Sequence, residues 1–450
     1  MCHCSIFRFL LPTFMIPYVA GFMIFCNHSP DMVSPDTDTP TIRIPAAPEI
    51  NDPAFSVSGL RAWYLIGDSL THGHDSISIS VQTGESVDRI DLFIDSLWIG
   101  MLRRHNDTLF NTEISLDSIG AGQHTLLLSA DNAQIAFVRM RFNRSAPMYV
   151  TVSNDWENPV SEDFDSNLVL ARILHQRHPD LVITYFVGPY FFTDPRVPEE
   201  RRQWIASFLR EMRDEYGDEI GLHIHPWCSL VQTAGITCKT DGSFNDGAPD
   251  TTGYAISCLR YSEAEFTTLL RTTDSIFLHY ELDKPTSFRA GAWMCGPPML
   301  GALAATGFTV DASGCNIGRL DELAGSMMVD LLTPLWPNSS DTSQPYYPSV
   351  NSGAAFTPSA LPILEVPDNG TLADYVTGAE MIDIFNRNRS RSALSKPRMC
   401  SIGYHVDNLN AFSDRIERAL AHIDYYLASS DLGPVVFARM SDCTKVWRRP

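Results

Sequence analysis

The sequence predicts two folded regions of different class: an all-β sandwich, then an α/β domain whose mainly parallel sheet forms a closed or distorted barrel. Three observations predict it. From about 67 to 143, apolar residues recur at every second position in short segments, with no helical stretch between them. From Tyr149 onward, strand-like and helical runs alternate to the end of the chain. The length, 450 residues, exceeds a typical single domain.

Two non-globular segments precede them. Residues 9–26, FLLPTFMIPYVAGFMIFC, carry no charge and follow Arg8, as in a signal peptide or an N-terminal anchor. This predicts export to a periplasmic, cell-surface or secreted location, with a membrane tether through this segment only. Residues 27–58 form a linker containing Pro30, Pro35, Pro40, Pro45, Pro48 and Pro53 among Ser, Thr and Asp, with little apolar surface to offset ordering entropy. The sandwich is placed at 59–146 and the α/β domain at 147–450.

Charge narrows the partners. The net charge is −20, from 53 acidic and 33 basic residues, and no basic run occurs. Nucleic acid is excluded as a partner, because it needs clustered Lys and Arg. Beyond the N-terminal segment the cysteines are Cys228, Cys238, Cys258, Cys295, Cys315, Cys400 and Cys443, an odd number with no CxxC spacing. That argues against a zinc knuckle and for disulfides within loops, with plain buried thiols as the alternative.

In the first region, alternating segments at 76–81, 89–94, 110–116, 125–128 and 136–142 are separated by turn signals such as Gly120-Ala-Gly122. VDRIDLFIDSLWIG followed by LDSIGAGQHTLLLSADN resembles bacterial immunoglobulin-like modules, which implies spacing or adhesion. In the second region, strands are expected at 148–152, 181–187, 220–225, 307–310 and 435–438. Helices are expected at 166–177, 199–216, 262–280, 298–306 and 410–429. The second helix gathers Trp204, Ile205, Phe208, Leu209 and Met212 on one face.

IGDSLTHG (66–73) resembles the opening of GDSL-type esterases, with Ser69 as nucleophile. A serine nucleophile needs a base and an orienting acid, and no His here has Asp three residues before it. The motif therefore reads as a turn.

Four motifs carry chemistry. In TVSNDWE (151–157), Asp155 and Glu157 stand two apart at a strand end and can address one site, while Asn154 faces away. In EIGLHIHPW (219–227), His223 and His225 share one strand face, as joint ligation of a divalent cation requires. In SFRAGAW (287–293), Arg289 can hold a carboxylate while Trp293 shapes a pocket. IGYH (402–405) places His405 at the end of another strand-like stretch.

In this order, with VDAS around Asp311 and ILEVP around Glu365, these motifs resemble the polysaccharide deacetylase family, from about 149 to 442. The resemblance implies a distorted (β/α) barrel, a divalent metal, most commonly zinc, and a polysaccharide or glycan substrate. It implies Asp155 as general base, with Asp155, Glu157, His223 and His225 as metal ligands. Arg289 would orient the base, and His405 would be the general acid, kept protonated by Asp311 or Asp407. Trp227, Trp293 and Asp311 would contact substrate. Two departures leave alternatives open. The family's adjacent Asp pair is here Asn154-Asp155, so either residue can hold the base position. Its His-x-x-x-His spacing meets Trp227 at the fourth position. A rival reading is an inactive carbohydrate-binding protein using Trp156, Trp227 and Trp293, and a third is a hydrolase of other C–N bonds.

Overall fold

The computed structural model describes residues 49–50, 55–130, 138–349, 360–390 and 392–449. The predicted signal segment and most of the linker lie outside them. Among the described residues, no helix is long and apolar enough to cross a membrane.

The first region is a two-sheet sandwich. One sheet contains β1 (Glu49–Ile50), β3 (Trp63–Leu65), β5 (Ile90–Ile94), β6 (Leu97–Met101), β9 (Gly122–Ala130) and β10 (Val138–Ser145). The other contains β2 (Ser56–Ser58), β4 (Ser76–Gln82), β7 (Arg103–Arg104) and β8 (Leu109–Ser115). Strands β1 and β2 come from the end of the stretch read as linker. Ile77, Ile79, Val81 and Phe110 of one sheet pack against Leu92, Ile94, Leu126, Leu128 and Phe142 of the other. Strand β6 is not visible in the alternation, because this edge strand leaves Leu97, Trp98 and Met101 exposed. Its hairpin turn is marked by Asp95 and Ser96 at φ 48° and 69°.

The second region holds a parallel sheet: β11 (Met148–Asp155), β12 (Ile183–Val187), β13 (Glu219–Ile224), β14 (Ser287–Ala290), β15 (Val310–Asp311), β16 (Leu364–Glu365), β17 (Arg398–His405) and β18 (Val435–Phe437). The order is β16-β15-β14-β13-β12-β11-β17, with β18 also on β11, a half-barrel in which every pair is parallel. The residues of β11 to β15 are buried throughout, as expected of strands covered on both faces. Between β16 and β17 the wall is irregular backbone: Ser401 N donates to Asn369 Oδ1 at 2.8 Å and Ala373 N to Gly403 O at 2.8 Å. Gly370 permits this approach, since a Cβ there would lie 2.0 Å from Ser401 O.

The α-helices are α1 (Phe164–Arg177), α2 (Tyr190–Thr193), α3 (Glu199–Tyr216), α4 (Cys228–Thr233), α5 (Glu263–His279), α6 (Pro297–Thr306), α7 (Met327–Leu332), α8 (Gly378–Arg389), α9 (Leu409–Asp424) and α10 (Cys443–Val446). In α3, Ile205, Phe208, Leu209 and Met212 are buried as the periodicity predicts, but Trp204 is 42% exposed beneath the Arg201 guanidinium. Helix α8 escaped the periodicity, although a capping box of Thr377 and Glu380 starts it. Cys228 and Cys238 form a disulfide, and Cys258, Cys295, Cys315, Cys400 and Cys443 are buried thiols.

The IGDSLTHG stretch is a turn that joins the two regions. Asp68 Oδ1 accepts from Leu70 N and Thr71 N, and Asp68 Oδ2 accepts from the Tyr149 hydroxyl of β11 at 2.7 Å. Ser69 Oγ accepts from Arg448 at 2.5 Å. Gly67 and Gly73 meet backbone to backbone: a Cβ on Gly73 would lie 2.3 Å from Gly67 N. Gly73→Ala should therefore cost about 1–3 kcal/mol in denaturant unfolding, as overpacking does. Ser69→Ala should leave any hydrolytic activity unchanged, and a large loss would restore the esterase reading.

Candidate active site

The carboxyl ends of the parallel strands carry Asp155, His225, Arg289 and His405, the end at which barrel folds place chemistry. The pleat of β11 sends neighbours to opposite sides. Asn154 is fully buried; its Oδ1 accepts from Trp156 Nε1 at 2.9 Å and its Nδ2 donates to the Tyr404 hydroxyl at 3.1 Å. Asp155 pairs in register with His405, and its Oδ1 lies 3.0 Å from Arg289 Nη1.

Arg289 is entirely buried. Its Nε donates to Ala312 O at 3.0 Å, its Nη2 lies 3.7 Å from Asp368 Oδ2, and its guanidinium covers the Phe186 ring. Trp293 Nε1 donates to the same Asp368 oxygen at 3.0 Å. Trp293 thus braces the arginine from a nearly buried position. Ala292 and Trp293 at φ 53° and 55° turn the chain to put it there.

Beyond the end of β11, Glu157 meets three imidazoles. Its Oε1 is 3.2 Å from His225 Nε2, 3.7 Å from His223 Nε2 and 3.2 Å from His405 Nε2. Burial alone would raise the Glu157 pKa, but His405 and His225 outweigh it and hold the carboxyl well below its usual range. Gly291 leaves room for this packing, as a Cβ there would lie 2.7 Å from His225 ring atoms.

The residues present fit a divalent cation. One atom each from Glu157, His223 and His225 lie within 4.8 Å of one another. His223 Nδ1 donates to Arg289 O at 3.0 Å and His225 Nδ1 to Tyr254 O at 2.8 Å, which turns the Nε2 lone pair of each ring toward Glu157. Metal-ligating histidines are oriented in this way by their outer nitrogen. His223 Nε2 is buried and has no hydrogen-bond partner, and two nitrogens with one carboxylate suit zinc. Asp155 is outside this group of three; its bonded oxygen faces Arg289.

His405 forms the other arm. Its Nδ1 is 3.1 Å from Asp374 Oδ1, and its backbone N donates to Asp374 Oδ2 at 3.1 Å. Burial would lower the imidazole pKa, but Asp374 and Glu157 outweigh it and hold it well above the usual value. The acid paired with His405 is thus Asp374, which the sequence reading missed, rather than Asp311 or Asp407. Asp374 lies in the irregular segment before α8, where spacing gives no signal. Asp407 accepts from Glu157 N and Asn158 N, both at 3.2 Å, so it anchors the Glu157 loop; burial and the Glu157 charge push its carboxyl up to about 7. Tyr254, also missed, donates its hydroxyl to Glu157 Oε2.

Three further expectations are corrected. Asp311 is fully buried and accepts from Ser313 Oγ at 2.6 Å, so no substrate can reach it. Trp156 has no exposed surface and packs on Phe164 and Phe191, so it cannot line a binding face. Trp293 offers its indole N–H to Asp368 and is only 3% exposed. Trp227 is half-buried beside the Tyr190 and Tyr254 rings.

The chain matches no family model, and no curated protein matches it. Among solved structures it is similar to a family 4 carbohydrate esterase from Streptomyces lividans in complex with acetate, at 11% identity and TM-score 0.34 over 67% of this chain and 98% of that one. It is similar to the Xyl-CE4 domain of a multidomain xylanase from the hindgut metagenome of Trinervitermes trinervoides, at 9% identity and TM-score 0.34 over 66% and 90%. It is also similar to a 4-alpha-glucanotransferase from Thermococcus litoralis, at 9% identity and TM-score 0.40 over 67% and 40%.

Burial pushes the Asp311 and Glu365 carboxyls up, and the Asp311 charge pushes Glu365 further. The folded pair keeps a proton that the unfolded chain releases above about pH 4. Unfolding then releases a proton, so stability from this pair is full at low pH and declines as pH rises through the raised value. Glu365→Gln keeps an acceptor for Gly314 N and a donor toward Asp311. The decline should flatten in this variant, by up to about 1.4 kcal/mol per pH unit, when denaturant unfolding is compared at about pH 6 and about pH 8.

Proposed function

We propose that the protein is a metal-dependent hydrolase removing acetyl groups, N- or O-linked, from a polysaccharide or cell-wall glycan. The observation that carries this reading is the convergence of Glu157, His223 and His225 between a carboxylate held by arginine and an imidazole held by a carboxylate. The glycan comes from the motif resemblance. Export through the N-terminal segment, and a spacing or adhesion role for an immunoglobulin-like sandwich, belong to the same proposal.

In this reading Glu157, His223 and His225 hold the ion, zinc by the donor set. When bound, it would supply Lewis acidity and lower the pKa of a water. Asp155 accepts the proton of the attacking water, its orientation set by Arg289. His405 is poised to donate: Asp374 fixes its Nδ1 and keeps the ring protonated, leaving Nε2 to give its proton to the departing amine or alkoxide as the acyl C–N or C–O bond breaks.

Purified protein should contain close to one equivalent of divalent metal by elemental analysis, lost in the His223→Ala/His225→Ala double variant. Metal-free protein that cannot be reloaded would favour the inactive carbohydrate-binding reading. His405→Ala should lower acetate release from acetylated glycans by about 10²–10⁴-fold while metal content stays. A fall in metal content would reassign His405 as a ligand.

A further inference from the structure

The segment between β13 and α5 closes over the imidazole side of the site and has no part in the acid–base steps. It begins at Pro226, carries the Cys228–Cys238 disulfide, and returns to the centre at Tyr254. Tyr254 makes three separate contacts there. Its hydroxyl donates to Glu157 Oε2, its carbonyl accepts from His225 Nδ1 at 2.8 Å, and its ring stacks on the His225 ring at 4.3 Å and 20°. One residue therefore sets both the carboxylate rotamer and the tautomer and tilt of an imidazole.

The backbone at Tyr254 is itself held. Asp250 Oδ1 accepts from Thr252 N at 2.9 Å and Thr252 Oγ1 at 2.7 Å, and its Oδ2 accepts from Ala255 N at 2.7 Å, so one carboxylate spans the turn. Cys228 N donates to Thr252 O at 2.7 Å. Gly253, at φ +80°, lies against the disulfide: a Cβ there would be 2.5 Å from Pro226 O and 3.2 Å from Cys238 Sγ. The disulfide thus closes a ten-residue separation directly beneath the residue that precedes Tyr254.

We infer that Tyr254 is a positioning residue for the metal-binding pair Glu157 and His225, and that the Cys228–Cys238 disulfide is the buttress that keeps it there. This rests on the metal-dependent reading above. The phenol O–H leaves one Glu157 oxygen, Oε1, directed at the imidazoles, and the carbonyl presents His225 Nε2 to the same point. Outer hydrogen bonds of this kind are typically worth about 10–100-fold in metal affinity.

The test is zinc affinity, measured by competition with a chromophoric chelator, on the whole protein and on Tyr254→Phe, which keeps the ring and the backbone carbonyl. Zinc should bind Tyr254→Phe about 10–100-fold more weakly, while the melting temperature of the metal-free variant matches the unsubstituted protein. Equal affinity would overturn the inference and leave the proposed function standing. A protein that binds no zinc or other divalent ion at all would overturn both. The Cys228→Ser/Cys238→Ser variant should also bind zinc more weakly, with a smaller additional loss when combined with Tyr254→Phe, because the two act along one path. An unchanged affinity in that cysteine variant would overturn the buttress.

Discussion

A buried guanidinium has to be paired, and the requirements of Arg289 organise this molecule. Unpaired, such a charge costs several kcal/mol. Here it meets Asp155 at the end of β11, Asp368 beyond β16, the Ala312 carbonyl after β15 and the face of Phe186 in β12. Four segments far apart in sequence are held by one side chain. The backbone of the same residue serves the site as well, since the Arg289 carbonyl accepts from His223 Nδ1. Strand β14 thus sets the direction of a carboxylate with its side chain and of an imidazole with its main chain.

The charges around the centre are separated by environment. On one side, the Arg289 guanidinium holds the Asp155 carboxyl at 3.0 Å; on the other, Asp374 and Glu157 hold the His405 pKa well above its usual value. Glu157 stands between them on a loop whose backbone N–H groups are held by Asp407. Its position depends on that anchor and on Tyr254, because β11 has already ended at Asp155.

The sandwich is fastened to the half-barrel by polar contacts at defined points. Asp431 accepts from Ala62 N at 2.8 Å and Trp63 N at 2.9 Å, and Ser145 Oγ accepts from Leu394 N at 2.8 Å. These satisfy backbone groups at the junction that would otherwise be orphaned, and the Tyr149 hydroxyl adds a side-chain bond to Asp68. The glycines of IGDSLTHG serve this junction by letting two backbone stretches touch.

The longer helices other than α8, the alternation in the sandwich, and the placing of Asp155, His223, His225, Arg289 and His405 at or just beyond strand ends were legible in the sequence. Each follows from a local periodicity, and a period of two decides on which side of a strand a residue falls. What tertiary structure alone decided was partnership. Asp374, Asp368 and Tyr254 come from irregular segments with no period, and only contacts between segments distant in sequence select them over other acids and tyrosines. The same applies to Asp311, Trp156 and Trp293: their residue types suggested a binding surface, and packing buried Asp311 within β15 and the two tryptophans just beyond the ends of β11 and β14. Local pattern determines where a side chain points; what it meets is settled by packing between segments far apart in the chain.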